Sequence, residues 1–471
     1  MGLYRVDGPV LWHDELATLN VIRRPTGAIL AMLHHVDAVH GAYYLLMHFW
    51  TSLAGDSLLA LRLPSVLAMA GAAACVALSG QRMFDRRAGL ISGLVFALIP
   101  AVARYAQEVR SYGLVVLTAS LALLMLLRAL ERPTAARWLA YAPTVAVAGY
   151  LHLISLGFLA AHLLAVAIAW WRDRRNLRIP LGFAAAVGLG LASLYPLLRL
   201  APAQAKRQIS WVAVPTADDL VAIWPQLFCS TALAVVMFLL ALFAWRDRRK
   251  AALAVATASA VLPVLAIWAL SQRGAVSYFM PKYLFFVLPA WALLAGVGVA
   301  LLRARYAVAA LVVLAATVAP DQVAVHRDLS HAAYTYPKPV TWFAPLDYRA
   351  AARIVAQGYR PGDAAAYGQD WTQVWWGVDT GVEYYLPATV EPRDVLLGET
   401  GEQRNDLWSK LTDDPAGGVA DAPRIWLVSR AGHPDPFDSV YPAAQQVLRA
   451  NYRMVRVDEV SGITVALLVR N

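Results

Sequence analysis

Nine uncharged, apolar stretches recur along the first 320 residues: 63–81, 88–103, 111–127, 138–171, 179–198, 220–245, 251–272, 283–302 and 306–320. A helix rises about 1.5 Å per residue, so crossing a hydrocarbon core about 30 Å thick takes roughly 20 residues. Each stretch therefore predicts a spanning helix, except 138–171, which is too long for one. It predicts two helices meeting near Tyr150-Leu151-His152, so ten spans are expected. Residues 38–55 form another uncharged run, crowded with His40, Tyr43, Tyr44, His48 and Trp50. His and aromatic side chains favour the water–lipid boundary, which predicts a helix lying on the outer face of the membrane. The alternative, a further span, would reverse the orientation of the N-terminal segment.

Beyond Asp321 the pattern changes. Tyr348 to Gly358 has helical spacing, with Ala351, Ile354 and Val355 on one side, and Arg360-Pro361-Gly362-Asp363 is a turn signal. Arg424–Arg430 and Ile463–Arg470 read as strands, with a helical stretch near Ala443–Ala450 between them. The expected fold is a polytopic α-helical membrane bundle followed by a small α/β soluble domain. The expected divisions are an outer-face loop with interfacial helices over 1–57, a transmembrane domain over 58–320, and an extracytoplasmic domain over 321–471.

Composition agrees with lipid as solvent: 59% of residues are hydrophobic and the mean hydropathy is +0.51. The net charge of +10 is unevenly spread. The first 320 residues hold 27 basic and 12 acidic residues, whereas the remainder holds 14 and 19. The basic excess thus belongs to the loops between spans, where it marks cytoplasmic edges and not nucleic-acid binding. In an alternating ten-span arrangement one set of loops carries 16 basic residues and the other seven. The first set is therefore expected in the cytoplasm, with the N-terminal segment and the C-terminal domain facing outward. Residues 1–20 contain no basic start followed by an apolar run, so an additional spanning helix before Met1 is expected to carry this segment across. Cys75 and Cys229 lie in or beside apolar stretches and suggest neither a disulfide framework nor a zinc site.

Charges near lipid are costly, so those on the expected outer side are candidates for chemistry. Trp12-His13-Asp14-Glu15 places two carboxylates side by side; one could serve as a general base. The competing reading is that Asp14 caps a helix beginning at Leu16, with Glu15 in its first turn. His34-His35-Val36-Asp37 followed by His40 could ligate a metal, but the spacing fits no common zinc motif, and interfacial side chains are the alternative. Arg104-Tyr105-Ala106-Gln107-Glu108-Val109-Arg110-Ser111-Tyr112 combines two arginines with a glutamate. Arginine suits bidentate phosphate binding, and the alternative is an ion pair closing a hairpin. Lys282-Tyr283 stands at another outer helix start, as an anion partner or as an interface anchor. Cations that hold a lipid phosphate and a carboxylate that deprotonates an attacking hydroxyl would together suit a transfer reaction at the membrane face.

Several strings carry a resemblance. Leu11–Thr18 (LWHDELAT) resembles the first outer loop of bacterial C-type (GT-C) glycosyltransferases of the dolichyl-phosphate-mannose–protein mannosyltransferase-like superfamily, a group that includes aminoarabinose transferases acting on lipid A. His40–Leu46 resembles that family's His-Pro-Pro-Leu-Tyr-Tyr segment, although Gly41-Ala42 stands in place of Pro-Pro. Ala60–Pro64, Tyr105–Tyr112 and Met280–Pro289 resemble three further segments in order. The resemblance implies a polyprenyl-phosphate-sugar-dependent hexosyltransferase of the bacterial plasma membrane, moving a mannose-type sugar with inversion to a protein, lipid or glycan acceptor. It places the catalytic base on Asp14, with Glu15 adjacent, and donor-phosphate contacts on Arg110 and Lys282, with Arg104 and Tyr283 beside them. His40, Glu108 and Tyr112 would support the site. No cofactor is expected, although a divalent cation stays open. The alternative class is a transporter or flippase of a lipid-linked sugar or small solute. A transporter should carry mid-membrane charges or broken helices, whereas these spans read as unbroken with their charges at one rim.

Overall fold

The computed structural model describes residues 2–331, 345–368 and 377–471. Packing divides the chain into two units: Met1–Val6 with Asp37–Arg327, and Asp7–Val36 with Asp328–Asn471. The stretch 1–57 is thus shared between them.

In the first unit every apolar stretch is helical. Among the described residues six helices are long and apolar enough to cross a membrane: Leu58–Met83, Tyr112–Glu131, Leu153–Arg172, Lys250–Arg273, Pro281–Ala300 and Ala304–Arg327. Three bent pairs raise the number to nine: Arg86–Leu98 with Pro100–Ala106 (65°), Arg178–Ser193 with Tyr195–Ile209 (59°), and Asp219–Phe228 with Thr231–Ala244 (102°). The tenth expected span corresponds to Ala135–Leu151, a shorter helix of 17 residues. It ends where the division of 138–171 was expected, just before His152.

The expectation of unbroken spans does not hold. At the sharpest bend Cys229 adopts a left-handed backbone (φ 52°). Ser230 then starts a fresh helix, its Oγ accepting the Leu233 N–H at 3.1 Å. A serine cap inside an apolar run is invisible to a hydropathy count.

Small residues set the helix spacing. A Cβ on Gly89 would stand 2.4 Å from the Ala77 carbonyl oxygen, and one on Gly296 would stand 2.3 Å from Ser92 Oγ. With no hydrophobic drive between helices in lipid, such close backbone approach supplies the packing. Pro281–Ala300 is the most enclosed of the six long helices, 89% buried in its apolar window. The residue 38–55 run contains the helix Gly41–Ala54.

The second unit contains a five-stranded sheet. Its strands are β1 (Ala364–Tyr367), β2 (Arg393–Asp394), β5 (Arg424–Arg430), β6 (Tyr452–Val460) and β7 (Ile463–Arg470), in the order β2-β1-β5-β7-β6. A separate antiparallel pair joins β3 (Leu397–Glu399) to β4 (Lys410–Leu411). The pairings β1–β2 and β1–β5 are parallel, whereas β5–β7 and β6–β7 are antiparallel. Helix Tyr348–Gly358 and the strands β5 and β7 occur where the sequence placed them, and Pro442–Asn451 fills the expected helical stretch. Buried Asp363 ties the sheet to the preceding turn: it accepts the Arg360 N–H at 3.0 Å, Trp426 Nε1–H at 2.9 Å and Arg424 Nη2–H at 3.0 Å.

Residues 7–36 are fastened into this second unit. Val10 N–H donates to the Leu329 carbonyl at 2.8 Å, Leu11 N–H to Tyr385 Oη at 3.0 Å, and Arg24 to the Asp406 carbonyl at 2.7 Å.

Candidate functional site

Asp14 and Glu15 belong to the helix His13–Ile22, which starts two residues earlier than a cap at Asp14 would require. Trp12 is the N-cap residue, and the Glu15 carboxylate reaches back to accept the Trp12 N–H at 3.1 Å. Glu15 is completely buried and is the residue that closes the helix start. Asp14 does not cap. It is 7% exposed, and its Oδ1 lies 3.4 Å from His13 Nε2. The two neighbouring carboxylates therefore have different occupations: one completes the helix, the other faces a histidine.

In the first unit, the segment from Arg104 to Tyr112 joins the helices Pro100–Ala106 and Tyr112–Glu131 and is buried throughout. Arg104 pairs with Glu108 four residues on, both almost without exposure. Its guanidinium also lies 4.0 Å from the Tyr105 ring centroid. Ser65 Oγ–H donates to the Glu108 carbonyl at 2.8 Å. Gln107 Nε2–H binds the Gly2 and Tyr4 carbonyls at 3.0 and 2.8 Å, and Arg62 Nη1–H binds the Val6 carbonyl at 2.6 Å. Arg62, Ser65 and Gln107 thus lock this segment to the N-terminal residues and to the helix Leu58–Met83. The Arg104–Glu108 pair spans the turn.

Arg110 has a different setting. Its Nη2 lies 2.8 Å from His40 Nε2, and its Nη1 lies 3.4 Å from Tyr44 Oη. Tyr44 donates a short hydrogen bond to Asp37. Asp37 also accepts Gln208 Nε2–H at 2.9 Å, and its Oδ1 lies 3.9 Å from His40 Nε2. Asp37 itself holds a left-handed backbone (φ 61°), a conformation Asp tolerates better than most residues. The following turn is anchored by Ala38 N–H donating to Gln204 Oε1 at 2.9 Å.

Rings link this group to Lys282 and Tyr283, at the start of the short helix Pro281–Leu284. His152 is centred 6.2 Å from the His40 ring, 6.0 Å from Tyr112 and 4.8 Å from Tyr283. Arg110 and Lys282 are close enough for their charges to bear on His152. Lys282 is buried, its Nζ 5.7 Å from the Tyr283 ring centroid.

Of the residues singled out from sequence, the first unit therefore gathers Arg110, His40, Tyr112, Lys282 and Tyr283 into one neighbourhood. Arg104 and Glu108 form an adjacent structural pair. Asp14 and Glu15 lie in the second unit. Three members of the neighbourhood were not named as site residues: Asp37, Tyr44 and His152. Asp37 had been noted only within a metal-like run and Tyr44 only as an interfacial ring. His152 had been noted only as a helix junction, and that junction was the signal that could have marked it. The run His34-His35-Val36-Asp37 with His40 does not assemble as ligands: His34 and His35 are exposed, and among the described residues no group of three or more His, Cys, Asp or Glu could hold a metal ion.

Residues 42–200 match the family described as dolichyl-phosphate-mannose-protein mannosyltransferase. Two solved structures of ArnT from Cupriavidus metallidurans, one in the apo state and one bound to undecaprenyl phosphate, superpose over nearly the whole length. They are 15% and 14% identical, each with a TM-score of 0.59, covering 98% of this chain and 95% of theirs. The chain has an ArnT-like fold. The oligosaccharyltransferase of Archaeoglobus fulgidus is more distantly similar, at 11% identity and a TM-score of 0.45, covering 97% of this chain and 69% of its own. No curated protein sequence matches the chain.

Proposed function

We propose that this protein is a glycosyltransferase that takes a sugar from a polyprenyl-phosphate donor and passes it, with inversion, to an acceptor hydroxyl at the outer face of a bacterial plasma membrane. The observation that carries the reading is the buried gathering of Arg110, His40 and Lys282 among tyrosine rings, in a fold whose ArnT relative binds undecaprenyl phosphate. Several basic groups drawn out of water repel one another unless negative charge joins them. Asp37 supplies one carboxylate there. A phosphate would supply more, with the acceptor geometry a guanidinium recognises. As the sugar leaves, negative charge grows on the bridging phosphate oxygen, and fixed cations stabilise it. Asp14 is assigned as the general base that takes the proton of the acceptor hydroxyl. Its neighbour Glu15 is already committed to the helix cap, which favours Asp14 of the two. The sugar is assigned to the mannose type, with a protein, lipid or glycan as acceptor.

The test is release of polyprenyl phosphate by purified protein supplied with a panel of polyprenyl-phosphate sugars and acceptors. Release that depends on an acceptor supports the reading; no release with any donor overturns it. The 102° bend at Cys229 is the observation that favours a transporter instead, because transporters build their sites at interrupted helices. A protein in proteoliposomes that moves a lipid-linked sugar across the bilayer without releasing the phosphate would establish that second reading.

A further inference from the structure

His152 is held by its backbone at the break between two apolar helices. The helix Ala135–Leu151 ends one residue before it, and its own backbone is extended (φ −170°, ψ 109°). Its N–H still donates to the Ala148 carbonyl at 2.9 Å, and its carbonyl accepts the Ser155 N–H at 2.9 Å. Ser155 Oγ–H donates to Ala148 as well, at 3.0 Å. These bonds leave the imidazole little freedom of direction. The residue is 7% exposed, and among the described residues its Nδ1 has no hydrogen-bond partner.

Buried polar atoms normally find a partner, so an orphan calls for an explanation. The surroundings limit what that partner can be. The rings of Tyr112, Tyr283 and His40 are centred within 6.2 Å, and the cations bearing on His152 are Arg110 and Lys282. Such a setting repels a metal cation and favours an acceptor oxygen carrying negative charge. In the Nδ1–H tautomer the imidazole can donate to that oxygen.

We propose that His152 is a donor-binding residue, its Nδ1–H hydrogen-bonding an oxygen of the phosphate group that Arg110 and Lys282 attract. The inference rests on reading that neighbourhood as a phosphate site. The phosphate belongs to a lipid-linked monoester or diester, and free inorganic phosphate shares the same chemistry. His152 differs from the cations in what it contributes. A guanidinium and an ammonium supply charge over several ångströms, whereas a fixed ring N–H supplies one direction. It would orient the phosphate so that its sugar-bearing oxygen points away from the histidine.

The experiment measures binding of farnesyl phosphate, inorganic phosphate and farnesol to the full chain in detergent, for wild type and for His152→Phe, His152→Asn, His152→Gln, Arg110→Ala and Lys282→Ala. Phe keeps the ring and removes the donor. Asn places an N–H near the position of Nδ1, and Gln places one near Nε2. His152→Phe should weaken farnesyl phosphate binding about tenfold or more, the effect of losing one hydrogen bond to a charged group. Inorganic phosphate should weaken in parallel if the phosphate itself is contacted, and farnesol binding should stay unchanged. His152→Asn should stay within about threefold of wild type, and His152→Gln should resemble Phe. If Phe binds farnesyl phosphate like wild type while Arg110→Ala and Lys282→Ala do not, the phosphate site stands and His152 is only packing. If none of the variants loses affinity, the phosphate site itself is wrong, and the assignment of His152 falls with it. If His152→Phe does not fold, Asn against Gln decides: equal affinities in those two overturn the proposal.

Discussion

Glu15 and Asp14, one position apart on the same helix, meet different partners: the Trp12 N–H and His13. Glu15 sits at the third helical position and its carboxylate meets the Trp12 N–H. Glu15→Gln weakens a charge-assisted contact to a neutral one, and thermal unfolding should report a loss on the order of 0.5–2 kcal/mol. Asp14→Asn should leave that unfolding temperature nearly unchanged and reduce turnover at least about 100-fold, the usual consequence of removing a general base. A turnover close to wild type in Asp14→Asn would remove it from the mechanism. Arg104 and Glu108 are a further contrast. Breaking a buried pair strands the remaining charge, so Arg104→Ala should destabilise the protein by roughly 3–5 kcal/mol in detergent. Arg110→Ala should cost donor affinity more than stability. Melting curves beside binding isotherms for the two arginines check both outcomes.

At the level of elements, the helical bundle depends on places where a side chain would not fit. Gly89 faces the helix Leu58–Met83 so closely that a Cβ would meet backbone atoms of Ala77 and Gln81 at 2.4 and 2.5 Å. Backbone cannot swing aside as a flexible side chain can. Gly89→Val should therefore lower the yield of folded protein and its melting temperature, on the order of 1–3 kcal/mol or more for overpacking. Gly27 has nothing within 4 Å of its Cβ position, and Gly27→Ala should be neutral or mildly stabilising in the same assay. In the sheet unit, titration offers the sharper probe. Burial pushes the Asp394 carboxyl up to about 7, opposed by the Leu396 N–H and assisted by nearby Asp379. A carboxyl whose folded value lies above its ordinary 3.8 holds its proton more tightly when folded. Stability should then be greatest below about pH 4 as far as this group is concerned, and should decline as pH rises toward 7. Asp394→Asn should flatten that part of the melting temperature against pH profile; an unchanged slope would show that Asp394 does not contribute.

On the scale of the whole molecule, sidedness decides where the reaction can take place. From the distribution of arginine among the loops we propose that residues 172–178 face the cytoplasm and the C-terminal domain the outside. Two exposed positions test this: Arg174, in the basic loop, and Glu402, in the sheet unit. The natural cysteines Cys75 and Cys229 are buried and give little background. In intact cells a membrane-impermeant maleimide should label Glu402→Cys and spare Arg174→Cys until the membrane is permeabilised. The reverse pattern would invert the orientation and remove the outer-face assignment of the reaction.

The sequence by itself determined whatever local chemistry dictates. A run of about 20 apolar residues has few options in lipid, because every backbone N–H and C=O must be satisfied within a helix. The helical stretches, the division at His152, and the strands β5 and β7 were legible for that kind of reason. So was the concentration of Arg110, Lys282, His40, Tyr112 and Tyr283 among the residues worth suspecting. The tertiary structure decided what depends on meetings between distant segments. It sorted Arg104 into a structural pair and Arg110 into a ring-lined cluster, although both are arginines in one short string. It brought Asp37, Tyr44 and His152 to that cluster, from positions whose local pattern signalled only a metal-like run, an aromatic surface and a junction. It also recruited residues 7–36 into the sheet unit through the bonds of Val10, Leu11 and Arg24, each reaching more than 300 residues along the chain. β1, with its run of three alanines, has almost no strand propensity of its own, and is a strand because β2 and β5 flank it. Periodicity records which face of a segment is apolar; it does not record which other segment will cover it.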